Sequence, residues 1–372
     1  MSIQYKDLSL PRRILMGPGP SNVPDSVMDA MSCPVVGHLD PAFLSVMEEV
    51  QEMLRAVFMT DNQFTIPISG TGSAGMEAAL VNTIEEGDHV MVCVNGVFGQ
   101  RMCEIVERCG GVFKRVDTEW GTSFAPKQVE SALEDFPAQV VCIVHAETST
   151  GVLQPLEEVS KIVHDRQALL VVDAVTSLGG APLKIDEWHI DVCYSGTQKC
   201  LSCPPGLAPV TFGPQAMEKL RNRSTKVQSW YLDMTMLGKY WGPDRVYHHT
   251  APISMIYALR EALRLVLEEG LEKSWARHQR CHKKLVAGLQ GLGLTMLVDE
   301  RFRTPMLNAV VIPEGVDDAA VRKRLLDQYN TEIGSGLGPL KGKIWRIGLM
   351  GHSCSQENVD HIVSALKSLL PG

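Results

Sequence analysis

Phe64-Thr-Ile-Pro-Ile-Ser69 is followed by Gly70-Thr71-Gly72-Ser73-Ala74-Gly75 and then by residues 74–83, where apolar side chains recur three and four apart. An apolar run, a glycine-rich turn and a helical pattern in that order make one strand-to-helix unit. Comparable runs rich in Val, Ile and Phe stand at His89–Val94 and at residues 111–116, 139–145, 168–173 and 191–195, with helical spacing at 99–109 and 126–134 between them. Such runs read as buried parallel strands, and their alternation with helices means βαβ crossovers. The expected fold is therefore α/β, with a large doubly wound, mostly parallel sheet.

Gly242-Pro243 and Pro252 punctuate the end of this region. Beyond it the pattern changes to helices at 254–269, 273–292, 317–329 and 356–369, with strand-like pieces at 307–312 and 343–347. This predicts a smaller C-terminal α+β domain. The expected division is an N-terminal arm over 1–15, a large domain over 16–258 and a small domain over 259–372.

With 372 residues, 45% hydrophobic and 21% charged, the chain has the composition of a folded globule and not of a disordered segment. Its net charge of −8 offers no basic field for nucleic acid. No stretch reaches the ~18 uninterrupted apolar residues of a membrane span. Ten cysteines lie mostly inside apolar runs, away from framework spacing, which suits a reducing compartment. Met1 to Arg13 lacks a signal-peptide core, and the ending Leu369-Leu370-Pro371-Gly372 is no peroxisomal or endoplasmic-reticulum signal. The expected location is the cytoplasm, with neither nucleic acid nor membrane as partner.

Gly70 to Gly75 has the G-x-G-x-x-G form of a dinucleotide fingerprint, yet the next strand runs into Asn95-Gly96, without the acidic residue a ribose requires. What survives is a glycine turn at a helix N-terminus, a phosphate site or a plain tight turn. Asp173 ends an apolar strand, where a side chain points into the ligand crevice of such sheets or caps the next segment. Lys199, in Tyr194-Ser195-Gly196-Thr197-Gln198-Lys199-Cys200, leaves a strand among small polar residues and precedes a constrained apolar loop. A lysine desolvated there has a lowered pKa and can form a Schiff base. Cys200 and Cys203 form a C-x-x-C without a second ligand pair or a thioredoxin-like context, so neither zinc nor redox chemistry is expected, and no metal site. Arg346, a lone charge in Ile344-Trp345-Arg346-Ile347-Gly348, needs a carboxylate, structural or substrate.

A phosphate turn, a strand-end Asp, a Lys and a small-domain Arg in this order resemble the fold-type I pyridoxal-phosphate transferases, and among them the class V aminotransferases. The likeness runs from Met16-Gly-Pro-Gly-Pro-Ser-Asn22 through Tyr194–Lys199 and Tyr247-His-His-Thr250 to Arg346-Ile-Gly-Leu349, and is nearest to the alanine–glyoxylate and serine–pyruvate (or serine–glyoxylate) enzymes. The resemblance implies pyridoxal 5'-phosphate as cofactor and Lys199 as its Schiff-base lysine and proton shuttle. It implies that Asp173 pairs the pyridine nitrogen, that Val175 packs beneath the ring and Phe98 above it, and that Thr148 bonds the phenolic oxygen. Thr71, Gly72, Ser73 and Gln198 match phosphate ligands. Tyr247 and Thr250 match residues that reach the phosphate of a neighbouring subunit, which implies a homodimer with shared active sites. Arg346 is the implied substrate carboxylate clamp, with Gly19 and the turn at Gly37-His38 lining the same pocket. Relatives carry Trp, His and Ser where this chain has Phe98, Ser73 and Thr148.

The implied reaction is ping-pong transamination of a small amino acid, alanine or serine, with glyoxylate or pyruvate as acceptor. A 2-aminoethylphosphonate–pyruvate or ureidoglycine–glyoxylate transaminase is the alternative on the same parts. Cys354 suggests a cysteine desulfurase, but their loop cysteine precedes the arginine, whereas Cys354 follows Arg346. A non-catalytic phosphate-binding protein is set against by the joint presence of Lys199, Asp173 and Arg346.

Overall fold

The glycine turn and its flanks fold as one strand and one helix, and six further strands extend the sheet. The computed structural model describes residues 5–370, so the readings of the arm and tail that rest on 1–4 and 371–372 lie outside the described residues. Strands β1 (Phe64–Ser69), β2 (His89–Val94), β3 (Val112–Asp117), β4 (Val140–Val144), β5 (Leu169–Asp173), β6 (Val192–Tyr194) and β7 (Leu207–Phe212) form a seven-stranded sheet in the order β1-β7-β6-β5-β4-β2-β3. The pairs β2 with β3, β2 with β4, β4 with β5 and β5 with β6 are parallel, and β7 is antiparallel to both β6 and β1. The sheet is mostly parallel, as the alternation predicts.

Strand β7 is the one the apolar runs did not predict, and its Pro209 argues against a central strand. In the fold Pro209 stands directly opposite Pro67 of β1. The Pro209 carbonyl accepts the Ser195 amide at 2.8 Å, so this residue turns its backbone toward β6, and the Pro67–Pro209 pair is a non-hydrogen-bonded rung at which the β1–β7 ladder needs no donor.

Helix α1 (Gly72–Thr83) is buried on nearly every side. A Cβ at Gly75 would lie 3.0 Å from the Ala208 Cβ and 3.3 Å from that of Tyr194, so glycine there lets α1 approach the sheet closely. Asn82, buried near its end, donates to the carbonyls of Ala78 and Leu232 and accepts from the Met234 amide, so no polar group is left unpaired. Helix α2 (Val97–Arg108) turns Gly99, Met102, Cys103 and Val106 inward and its charged face outward.

The expected boundary at 258/259 falls inside helix α3 (Ile253–Glu269), which packs on the helices Asp25–Met31 and Pro41–Phe58. Its Leu259, Ala262 and Leu263 still belong to the core of the large sheet, whereas Cys281, Leu285 and Leu289 of helix α4 (Leu271–Gly291) join a second core around Trp345, Ile347, Leu325 and Ile362. Leu265, Val266, Leu267 and Leu271 still pack on the first core from its rim, so the chain crosses from one core to the other between Leu271 and Cys281. Met16 belongs to the second core, and Ile14–Leu15 pairs in parallel with Thr331–Glu332.

The second core lies on a small antiparallel sheet of β8 (Leu307–Val311), β9 (Gly334–Ser335) and β10 (Ile344–Gly348), with β10 central. A third cluster of Ala146, Ala181, Cys200, Met306, Leu307 and Met350 joins the two layers beside Lys199. Among the described residues no helix is long and apolar enough to cross a membrane.

Candidate active site

Strands β1, β2, β4, β5 and β6 all run in one direction, so Ser69, Val94, Val144, Asp173 and Tyr194 end on one edge of the sheet. The strand order reverses at β2, which has β3 on one side and β4 on the other. Open α/β sheets bind ligands outside such carboxyl ends. The loops that follow these strands carry the glycine turn, Phe98, Thr148, Val175 and Lys199 to this edge.

Asp173 is buried there. Its Oδ1 accepts the Val175 amide at 2.8 Å and its Oδ2 the Tyr194 hydroxyl at 2.9 Å. The parallel register of β5 and β6 sets Tyr194 beside Asp173. Burial pushes the Asp173 carboxyl up to about 7, against the pull of these two donors; the Glu147 charge adds to the rise and Lys199 opposes it. Val175 lies beneath Gly72, where a Cβ would come within 3.0 Å of its Cγ2.

Lys199 lies against Gly19, and its Nζ donates to the Pro18 carbonyl. Burial lowers its pKa to about 8, helped by the Arg346 cation. A lysine so placed keeps a sizeable neutral, nucleophilic fraction near neutral pH. Beside it the Gln198 Oε1 is buried without a hydrogen-bond partner. The Ser21 hydroxyl and amide fasten this loop through the Lys199 and Gln198 carbonyls.

Arg346 comes from the middle of β10 and is 7% exposed. Its Nε donates to the Ser335 carbonyl at 2.6 Å and its Nη1 to the Thr148 carbonyl at 3.2 Å. Both partners are neutral, and among the described residues no carboxylate forms an ion pair with it. Burial holds the guanidinium down at about 10, with Glu147 pulling the other way. Thr148 is buried, so its carbonyl is a fixed strut for the fork. Phe98 opens α2, half-buried, with the Arg101 guanidinium 4.9 Å from its ring centre.

Other residues marked by the sequence stand further out. Thr71 and Ser73 are exposed at the start of α1, whose first amides have no acceptor within the helix. Thr250 is exposed, Tyr247 is 58% exposed, and His38 meets the Tyr247 ring at 5.0 Å. Among the described residues no hydrogen bond or ring contact joins His38 to Lys199 or Arg346. The segment touches the edge through His249, whose Nε2 lies 2.8 Å from the hydroxyl of Ser69, the last residue of β1. Cys200 and Cys203 are buried free thiols, the first donating to the Thr176 carbonyl. Among the described residues no group of three or more His, Cys, Asp or Glu side chains is set to hold a metal ion.

Two groups of this edge escaped the sequence reading. Tyr194 was visible only as part of the motif before Lys199, since strand register brings its hydroxyl to Asp173. Glu147 carried no signal beyond its place next to Thr148; the structure buries it completely between α2 and the turn that follows it.

The family described as aminotransferase class-V matches residues 14–361. The alanine–glyoxylate aminotransferase of Nostoc sp. superposes with a TM-score of 0.98 at 49% identity, covering 99% of this chain and 98% of that one. An alanine–glyoxylate aminotransferase of Callithrix jacchus is 42% identical over 98% of this chain and 89% of its own length. The (S)-ureidoglycine–glyoxylate transaminase of Bacillus subtilis is 41% identical over 98% of this chain and 92% of its own.

Proposed function

This chain belongs to the class-V aminotransferases, pyridoxal-phosphate enzymes of fold type I, and from that premise we propose that it moves the amino group of alanine or serine to glyoxylate or pyruvate. The observation that supports this most is a convergence on one crevice edge. A desolvated Lys199, a buried Asp173 and an Arg346 without a carboxylate partner meet there.

The residues present fit the cofactor. The orphaned Gln198 oxygen, the glycine turn that packs closely on Val175 at Gly72, and the free amides opening α1 are features of a site shaped for a phosphorylated ring. Bound there, pyridoxal phosphate supplies the electron-accepting ring on which an amine is exchanged for a carbonyl.

Asp173 would hold the pyridine nitrogen of the cofactor, whose positive charge would favour the ionised carboxylate. Thr71, Gly72, Ser73 and Gln198 hold the phosphate. Phe98 and Val175 hold the ring between them, and the Thr148 hydroxyl orients its phenolic oxygen. Lys199 would hold the cofactor through Nζ, and the same amine, placed at the crevice edge, would move the proton at the substrate Cα. Arg346 turns its fork to the α-carboxylate and so orients the Cα–H toward Lys199. Gly19 and His38 border the substrate.

We place the enzyme in the cytoplasm as a homodimer, with Tyr247 and Thr250 completing the phosphate site of the partner. An exposed patch of Trp230, Tyr231, Val246 and Tyr247 beside that segment supports the dimer, and the unpaired cysteines support a reducing compartment. The Bacillus relative favours one second reading, ureidoglycine as donor to the same acceptor.

The test is the visible spectrum of the purified protein with pyridoxal phosphate while alanine, serine and ureidoglycine are added in turn. A band that is lost in Lys199→Ala and bleaches with alanine or serine bears the proposal out. Bleaching by ureidoglycine alone replaces the donor, and the absence of any band refutes the enzyme.

A further inference from the structure

Glu147 is fully buried, and the reaction outlined above leaves it without a task. Its Oε1 accepts the Ser149 amide at 3.0 Å and the Ser149 hydroxyl at 2.6 Å. Its Oε2 accepts the Phe98 amide at 3.2 Å, and the Gly99 amide also donates to the carboxylate. The Ser149 hydroxyl in turn accepts the Val97 amide at 3.0 Å, which spends its proton on Glu147 and its lone pair on α2. Every hydrogen-bonding partner thus offers a proton to the carboxylate, and these donors favour its ionised form against burial, which pushes its pKa up. Gly96 leaves room for this approach: a Cβ there would collide with the Glu147 side chain and the Ser149 hydroxyl.

We infer that Glu147 is a positioning residue that sets both the ring-facing Phe98 and the carbonyl holding Arg346, and supplies the negative charge that balances the crevice. Phe98 is held because its own amide, at the first turn of α2, is bonded to the carboxylate. Arg346 is held because the carbonyl it donates to belongs to Thr148, between Glu147 and Ser149. The balance of charge follows from the neighbours on the other elements: Glu147 acts on Arg346 of β10 and Asp173 of β5, and these two in turn act on Lys199 after β6. One cation and one carboxyl feel the Glu147 charge, and taking it away leaves Arg346, which itself acts on Lys199, without its counter-charge. The inference rests on the proposed cofactor site.

The experiment compares wild type, Glu147→Gln and Glu147→Asp, each reconstituted with pyridoxal phosphate. Three quantities are read: the pH midpoint of the visible band, the dissociation constant of the cofactor, and KM and kcat for the donor. Glutamine keeps the shape but loses the charge and turns an NH2 toward donors. The midpoint should fall by roughly 0.5 to 1 pH unit, because the unbalanced Arg346 cation disfavours a second positive charge at Lys199. Aspartate keeps the charge but not the reach. It should leave the midpoint in place and raise KM and the cofactor dissociation constant several-fold.

A residue that only supports the fold would lower the melting temperature of Glu147→Gln without moving the midpoint, and that result overturns the inference. If Glu147→Gln does not fold, wild-type KM and cofactor affinity in Glu147→Asp overturn it equally. A wild-type protein that takes up no pyridoxal phosphate refutes the cofactor site, and this inference with it.

Discussion

Replacing Tyr194 by Phe removes one oxygen from the core and one of the two donors on Asp173. The lost bond is the 2.9 Å contact from the phenol to Oδ2, which leaves the Val175 amide on Oδ1. A hydrogen bond to a charged group contributes about 1.5–3 kcal/mol, and the neutral carboxyl keeps part of it. The ionised form of Asp173 should lose the difference, on the order of 1–1.5 kcal/mol, which is about one pH unit. Starting from about 7, the ionised fraction in the apoprotein at pH 7 should drop from roughly a half to roughly a tenth. The assay is pyridoxal-phosphate affinity against pH, because the pyridine N–H is bound by the carboxylate and not by the acid.

The half-maximal point of affinity should move up by about one unit in Tyr194→Phe. Stability supplies an independent reading. The Asp173 carboxyl ionises near 7 when folded and at its ordinary 3.8 when unfolded. Over that interval the folded protein holds the extra proton, so this group's contribution is present below 3.8 and is lost as pH rises through 7. In the variant the loss should continue for about one more unit, while other titrating groups cancel in the comparison. Identical pH profiles for affinity and melting in the two proteins would refute the reasoning.

Arg346→Lys keeps the charge but gives up the fork that spans the Ser335 and Thr148 carbonyls; kcat/KM for the amino acid should fall roughly 10- to 100-fold in steady-state assays. His278 is buried, with Nδ1 donating to the Ser274 carbonyl at 2.7 Å and Nε2 accepting the Gly351 amide at 3.0 Å, so it must be neutral. Burial lowers its pKa to about 4 from 6.5; its contribution is whole above 6.5 and is lost as pH falls toward 4. Thermal melts of His278→Ala should show a flatter decline over that window and a loss of about 1–3 kcal/mol at pH 8. Gly75→Val forces α1 away from Ala208 and Tyr194, at a cost of about 1–3 kcal/mol. Because the same helix opens at the glycine turn, its cofactor affinity by spectral titration should fall as well.

The order of strands and helices was legible because short continuous apolar runs and helical runs of period 3.6 are local properties of the chain. Local patterning also picked out Asp173, Lys199 and Arg346, each a charged group where an apolar strand begins, ends or passes, and a charge there is too costly to lack a purpose. The turn at Gly70 was legible as a turn, and the missing acid after β2 removed the dinucleotide reading. Strand β7 was not legible, since a proline is unusual in a central strand; Pro209 is tolerated because its missing N–H falls opposite Ser195, just past the end of β6, while its carbonyl still accepts the Ser195 amide. Tyr194 and Glu147 escaped for a related reason. Their roles depend on which strands are neighbours and in what register, and those are contacts between distant parts of the chain.

By itself, then, the sequence determined the α/β alternation, the composition that excludes a basic nucleic-acid binder, and the identity of the three charged groups. Only the tertiary structure decided that these groups meet, because β5 and β6 become neighbours only in the assembled sheet and β10 belongs to a second sheet, remote in sequence, that packing brings to the same edge. It also decided their chemistry. Asp173 and Lys199 have shifted pKa values because burial removes water from them, and burial is a property of the packed fold, which no single segment carries.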